Sequence, residues 1–176
     1  MEGHGNQSKR RGAGAVIFQL PGSWAVAANV AAWLVIHVGT SVLAARMRST
    51  SFNPQSWLYR QRIWERGGRT YKALLKVKKW KRLLPDGAAV FKGGFRKKRL
   101  PNRDGQYIER FILETCRAEF THWVILASSV IFFVWNDWWI GVIMVAYGFL
   151  VNMPCIVTQR YNRIRLNRIC GSHNRC

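Results

Sequence analysis

The sequence predicts an all-α integral membrane protein with about three transmembrane helices and a basic, interfacial helical loop. Three observations carry this. Two long stretches of the 176-residue chain are apolar and free of ionised side chains. A third, shorter one ends at a polar turn ringed by tryptophans. The positive charge is gathered mostly between them: 28 Lys and Arg stand against 8 Asp and Glu, a formal net charge of +20. An apolar fraction of 49% excludes a disordered basic tail, which needs low hydrophobicity. The length suggests one domain.

Residues 1–21 are a basic, flexible N-terminus containing Lys9, Arg10 and Arg11. From Gly12 to Ala45 no side chain is ionised at neutral pH. Crossing the hydrocarbon core takes about 20 helical residues, so 22–45 is read as the first transmembrane helix. Its frequent Ala, Gly and Ser favour close helix–helix approach in lipid. Basic residues before an apolar stretch also mark signal peptides, but this stretch is long and a retained anchor is expected.

Residues 46–119 form the basic interfacial region. Ser51–Pro54 is a break with Asn-Pro as turn initiator. Residues 55–66 mix aromatics and Arg at near-helical spacing until Gly67-Gly68. Residues 70–84 are amphipathic, with Leu75, Val77 and Trp80 among lysines. Pro85-Asp86-Gly87 is a turn, residues 96–99 are a basic run, and 101–105 make a further turn. From about Gln106 a helix is expected to run unbroken into the next apolar segment. Such basic amphipathic segments suit an anionic lipid surface, each cation contributing about 1 kcal/mol.

Residues 120–159 are read as a transmembrane helical hairpin turning at 136–137, where Asn-Asp favours a turn. Trp123, Trp135, Trp138 and Trp139 mark its ends, as Trp does at membrane–water boundaries. Buried helices of a soluble protein seldom run this long without a charge. Residues 160–176 are a basic tail. Basic flanks stay in the cytoplasm, so the tail and the 46–119 loop are expected there, in the cell membrane. A single first span then leaves Lys9–Arg11 outside, against the same rule.

The most informative stretch is Glu114-Thr-Cys-Arg117-Ala-Glu119-Phe-Thr-His122-Trp123. At about 100° per residue, with Glu114 at zero, Arg117 falls near −60°, His122 near +80° and Glu119 near +140°. His122 therefore projects between two carboxylates. A carboxylate partner fixes the tautomer of an imidazole and raises its basicity, which suits proton removal from an alcohol. Where a helix enters the bilayer, that alcohol would belong to an amphiphile. The competing reading is an interfacial network, with Glu114–Arg117 an ordinary helical ion pair. Asn29 and His37 interrupt the first span and Asn152 the third. They act as helix–helix glue or as the polar lining of a cleft. Gln159-Arg160-Tyr161-Asn162-Arg163 follows with groups suited to sugar, phosphate or carboxylate. No CxxC, P-loop, dinucleotide fingerprint or Gly-x-Ser-x-Gly occurs, and no metal is expected.

Three stretches together resemble one known family: Val77-Lys-Lys-Trp-Lys81 with Asp86-Gly87; Glu114-Thr115-x-Arg117-Ala118-Glu119-x-x-His122-Trp123; and Asn152-x-Pro154 followed by Gln159-Arg160-Tyr161-Asn162-Arg163-x-Arg165-Leu166. They are similar to the glycosyl-4,4'-diaponeurosporenoate acyltransferases of staphyloxanthin-type carotenoid biosynthesis, in order and spacing over about residues 70–166. The resemblance implies a small membrane protein that esterifies a sugar hydroxyl of a glycosylated terpenoid, or a related glycolipid, with a fatty acyl group.

On that reading His122 is the general base, oriented by Glu119 or Glu114, with Asp86 in reserve. Arg117, Arg160 and Arg163 stabilise the acyl oxyanion or hold an anionic donor group. Lys78, Lys79 and Lys81 bind donor phosphates if the donor is acyl-CoA, a co-substrate rather than a cofactor. Trp80 and Tyr161 stack on sugar, and Asn152, Gln159 and Asn162 line the site. Expected partners are the glycosylated acceptor, the acyl donor and anionic membrane lipids, without nucleic acid and with the oligomeric state open. The rival readings are non-enzymatic: a membrane adaptor docking anionic lipids or an acidic partner through its basic loop, or a lipid-binding subunit.

Overall fold

A computed structural model of the protein describes residues 20–73, 75–80 and 105–173, and all regular structure among these is helical. The first helix, α1 (Gly22–Arg46), coincides with the first charge-free stretch. Its side chains are mostly exposed, as a lipid-facing helix requires; only Asn29 and Ala44 are buried. Arg46 ends it, and Met47 turns into extended backbone.

The segment that follows is a collar rather than a pair of helices. It contains 3-10 turns at Ser49–Ser51 and Ile63–Gly68, then two short helices, α2 (Arg69–Ala73) and α3 (Val77–Trp80). The Ser51–Pro54 break is present, with the Asn53 side chain accepting from the Gln55 N–H. The helical spacing read over 55–66 gives turns, and the stretch 70–80 is broken at Lys76, where φ is +46°. Gly67 and Gly68 also adopt positive φ, +64° and +84°, reversing the chain before α2. Contacts across the fold override the local spacing here, because the carbonyls of this segment are held by arginines some 100 residues downstream.

The second apolar stretch is α4 (Gly105–Ser128), continued by a 3-10 segment at Ser129–Val134. The third is α5 (Trp138–His173), and the two make a hairpin turning at 135–137. By length and apolarity Gly22–Arg46, Gly105–Val134 and Trp138–Gly171 are each able to cross a bilayer. The 3-10 segment helps the short arm. Residues 120–134 reach about 25 Å with six residues at about 2.0 Å rise, against about 23 Å if all were α-helical. The 36 residues of α5 extend about 54 Å, well beyond a core of about 30 Å. Its arginine-bearing end therefore stands outside the hydrocarbon.

α1 joins the hairpin at both ends. Near the tip, Asn29 and Asn136 exchange two side-chain hydrogen bonds of 3.0 and 2.8 Å, and the Trp135 indole donates to Asn29 Oδ1 at 2.8 Å. In between, Trp33 packs on Phe132 and Tyr147. At the other end Arg117 reaches the Met47 carbonyl at 3.4 Å. The end of α1, the start of α4 and the end of α5 thus lie together with the collar, opposite the hairpin tip. Two apolar clusters seat the collar, Tyr71, Val77, Tyr161 and Ile164, and Phe52, Tyr59 and Cys116, while a third, Ile108, Phe111, Ile112 and Leu166, joins α4 to α5.

Candidate functional site

Two polar assemblies lie between α4 and α5. The larger is a buried ion-pair lattice. Glu119, fully buried on α4, receives Arg160 Nη1 on Oε1 at 2.9 Å and Arg163 Nη2 on Oε2 at 2.5 Å. Arg160 Nε meets the fully buried Glu65 at 2.8 Å. Glu65 also accepts the Tyr71 hydroxyl and the Arg62 backbone N–H, both at 2.5 Å. Further guanidinium hydrogens go to collar carbonyls, Arg160 to Leu58 and Arg60 and Arg163 Nε and Nη2 to Tyr59, while Arg163 Nη1 is buried without a hydrogen-bond partner among the described residues. Two carboxylates match two guanidiniums, so the lattice carries no net charge. Burial raises the Glu65 pKa, but hydrogen bonds from Arg160, Tyr71 and the Arg62 N–H outweigh it and hold the carboxyl below its ordinary value. Burial first, then the neighbouring Cys116 and Glu119, pushes the Tyr59 hydroxyl up to about 12.

The second assembly is small. His122 Nδ1 lies 2.9 Å from Asn152 Oδ1, across the α4–α5 interface. Asn152 is fully buried, and its Nδ2 donates to the Gly148 carbonyl at 2.8 Å. A carbonyl only accepts, so that bond fixes the orientation of the amide. Oδ1 then faces the ring, so Nδ1 is the nitrogen that donates to it. His122 itself is half-buried.

Beside these assemblies opens a cavity of about 300 Å³. Its collar wall is Trp57, Leu58, Arg62, Trp64 and Tyr71. Its helix wall is Trp123 from α4 and Met153, Ile156, Val157 and Arg160 from α5. His122 and Asn152 do not line it, but their chain neighbours Trp123 and Met153 do, one residue along each of the same two helices.

The sequence-predicted residues distribute over this framework. The carboxylate expected behind His122 is engaged elsewhere: Glu119 goes to Arg160 and Arg163, and Glu114 to Arg117 at 2.5 Å. An amide, Asn152, occupies that place. Arg160 and Arg163 are lattice members tied to carboxylates and collar carbonyls, not open cations. Tyr161 is 0% exposed, packed against Tyr71 and Gly68, and offers no face to a sugar. Trp80 leans on the same cluster and donates to the Leu75 carbonyl at 2.6 Å. Gln159 and Asn162 are half-buried on α5, and Lys79 is exposed on α3. Lys81, Asp86 and the basic run 96–99 lie outside the described residues, as does the position of the Lys78 side chain.

Sequence reasoning missed Glu65, Tyr71, Arg62 and the cavity tryptophans Trp57 and Trp64. One signal pointed to the first: Glu65 is the sole acid between Arg46 and Pro85, within a strongly basic stretch, where a carboxylate attracts a cation partner.

A family model described as glycosyl-4,4'-diaponeurosporenoate acyltransferase matches residues 54–172. Proteins of that name from Staphylococcus aureus strains bovine RF122 / ET3-1 and N315 are each 28% identical over 137 residues, 78% of this chain and 82% of theirs. No solved structure matches. The matched region takes in the collar from Pro54 onward, the ion-pair lattice, the imidazole–amide pair and the cavity.

Proposed function

We propose, because the chain belongs to the glycosyl-4,4'-diaponeurosporenoate acyltransferase family, that it is a membrane-embedded acyltransferase esterifying a hydroxyl of a glycosylated terpenoid or related glycolipid. His122 is the general base. Its Nε2 takes the proton of the acceptor hydroxyl as the oxygen attacks the donor's acyl carbon. When the donor's leaving atom departs, a thiolate sulfur if the donor is acyl-CoA, the imidazolium returns the proton to it. Asn152 positions the ring in the tautomer that this requires.

The buried lattice does not touch substrate on this reading. Arg160 and Arg163 hold the collar against the helices so that the cavity keeps its shape. Exposed cations such as Lys79 draw an anionic donor and anionic lipids to the surface. The basic end faces the cytoplasm of the cell membrane, following the charge rule. The observation that carries the assignment is the Asn152 amide, whose bond to the Gly148 carbonyl turns its oxygen on the imidazole.

The test is lipid mass spectrometry of cells producing the protein, looking for a species heavier by one acyl unit. His122→Ala abolishes it while the protein still inserts at normal level; undiminished ester formation in that variant discards the base. Asn152→Leu lowers kcat by about 10²-fold, within the range spanned by positioned proton transfer, and moves the alkaline-active pH profile with little change in acceptor KM.

A further inference from the structure

The cavity beside His122 combines three indoles, one phenol and an apolar floor with only two charged side chains, Arg62 and Arg160. Arg160 is neutralised inside the lattice by Glu65 and Glu119. Arg62 is half-spent. One of its guanidinium nitrogens donates to the Trp57 carbonyl at 2.6 Å, and its charge sits 4.8 Å over the Trp57 ring. A site built for phosphates would present open cations, and this one presents aromatic faces. Aromatic rings suit the weakly apolar face of an uncharged polyol, while phosphate groups gain from guanidinium forks.

The setting of the cavity adds a direction. Ile63 is 98% exposed and Trp64 is 56% exposed, although both belong to a collar lying against membrane-crossing helices. The floor residues Met153, Ile156 and Val157 continue into the exposed apolar surface of α5 at Phe149 and Leu150. An apolar lip and an apolar floor that runs into the lipid-facing surface fit loading from the leaflet. A volume of about 300 Å³ is at the small end of ligand pockets, sized for a head group rather than for a whole lipid.

We propose that this cavity is the subsite for the sugar of the acceptor, which stacks on Trp64 while its lipid tail leaves over Met153 toward Phe149 and Leu150 into the bilayer. The inference rests on the acyltransferase reading above and assigns the acceptor, not the donor, to this wall. The sugar hydroxyl is thereby brought one residue along each helix from the His122–Asn152 pair.

The experiment uses the full chain in lipid nanodiscs and titrates three probes by saturation-transfer NMR: decyl β-glucoside, decyl phosphate and a sugar-free decyl polyethylene glycol ether. The glucoside is expected to bind about tenfold more tightly than the ether, the scale of one good aromatic contact. Trp64→Ala erases that advantage without changing the ether, and Trp64→Phe, which keeps a ring and guards against misfolding, restores most of it. Trp24→Ala, at the far end of α1, changes nothing. Decyl phosphate binding more tightly than the glucoside overturns the proposal in favour of an anion site at Arg62. Equal affinity for glucoside and ether overturns it in favour of a non-selective apolar slot. The two readings fail separately. His122→Ala is expected to leave the glucoside affinity intact, and its retention of ester formation would discard the base and not the subsite. An unchanged glucoside affinity in Trp64→Ala, with activity still lost in His122→Ala, would discard the subsite alone.

Discussion

Glu65 is the residue on which the collar depends. Its oxygens receive a guanidinium, a phenol and a backbone amide, and the side chain is fully buried. Removing one partner of a buried ion pair leaves the other uncompensated and typically costs about 3–5 kcal/mol. Glu65→Gln is expected to lower the melting temperature of the purified protein accordingly, because Arg160 then keeps only Glu119. The same carboxyl gives the stability a pH dependence with a definite sign. Its folded pKa is below its ordinary value, so the contribution is complete above about pH 4.5 and is lost as pH falls through the folded value. Melting curves of the parent protein should therefore decline on acidification below that point, and Glu65→Gln should flatten the decline. A variant that keeps the full acid sensitivity would remove Glu65 as its source.

The elements differ in how legible they were. The ends of α1 and the hairpin turn follow from where charge stops and starts, because an ionised group inside the hydrocarbon is expensive and each boundary is visible locally. The collar is different. Its 55–66 stretch has helical spacing, yet its carbonyls are taken by Arg160 and Arg163, and no local pattern reports a partner 100 residues away. The site was legible in the same proportion. His122, Asn152 and Glu119 stood out as polar groups in apolar helices, but which of them meet is decided by the α4–α5 register. The hairpin offers a test of that register. Gly141 is buried where α5 passes the 3-10 segment, and a Cβ built on it would collide with the Phe133 ring. Gly141→Ala must displace the ring or part the arms, an overpacking cost of about 1–3 kcal/mol. The expected result is a lower melting temperature, and Phe133→Ala in the same chain should recover part of it. Unchanged stability in Gly141→Ala would mean that the arms are not in contact there.

At the scale of the whole molecule, charge is segregated along the axis of the bundle. Among the described residues, the hairpin tip and α1 up to Ala45 contribute one ionised side chain, Asp137, while the collar and the end of α5 are dense with Lys and Arg. The hairpin and the pairing of α1 with its tip put the collar and the described part of the tail at one end, so one orientation serves both. The orientation proposed above, with the cationic collar and tail in the cytoplasm, follows the retention of cationic flanks on that side. On that proposed orientation the cavity, flanked by the collar, would open to the inner leaflet, where anionic lipids concentrate. Cysteine labelling in intact cells decides this. Asp137→Cys should react with a membrane-impermeant maleimide added from outside, whereas Arg60→Cys, exposed on the collar, should react only after the membrane is permeabilised. The parent chain, with its four native cysteines, of which Cys116 is buried and Cys155 half-buried, provides the background to be subtracted. Labelling of Arg60→Cys from outside, with Asp137→Cys protected, would invert the molecule. The acyl donor would then have to come from the outer face, and a soluble thioester of the cytosol would no longer serve.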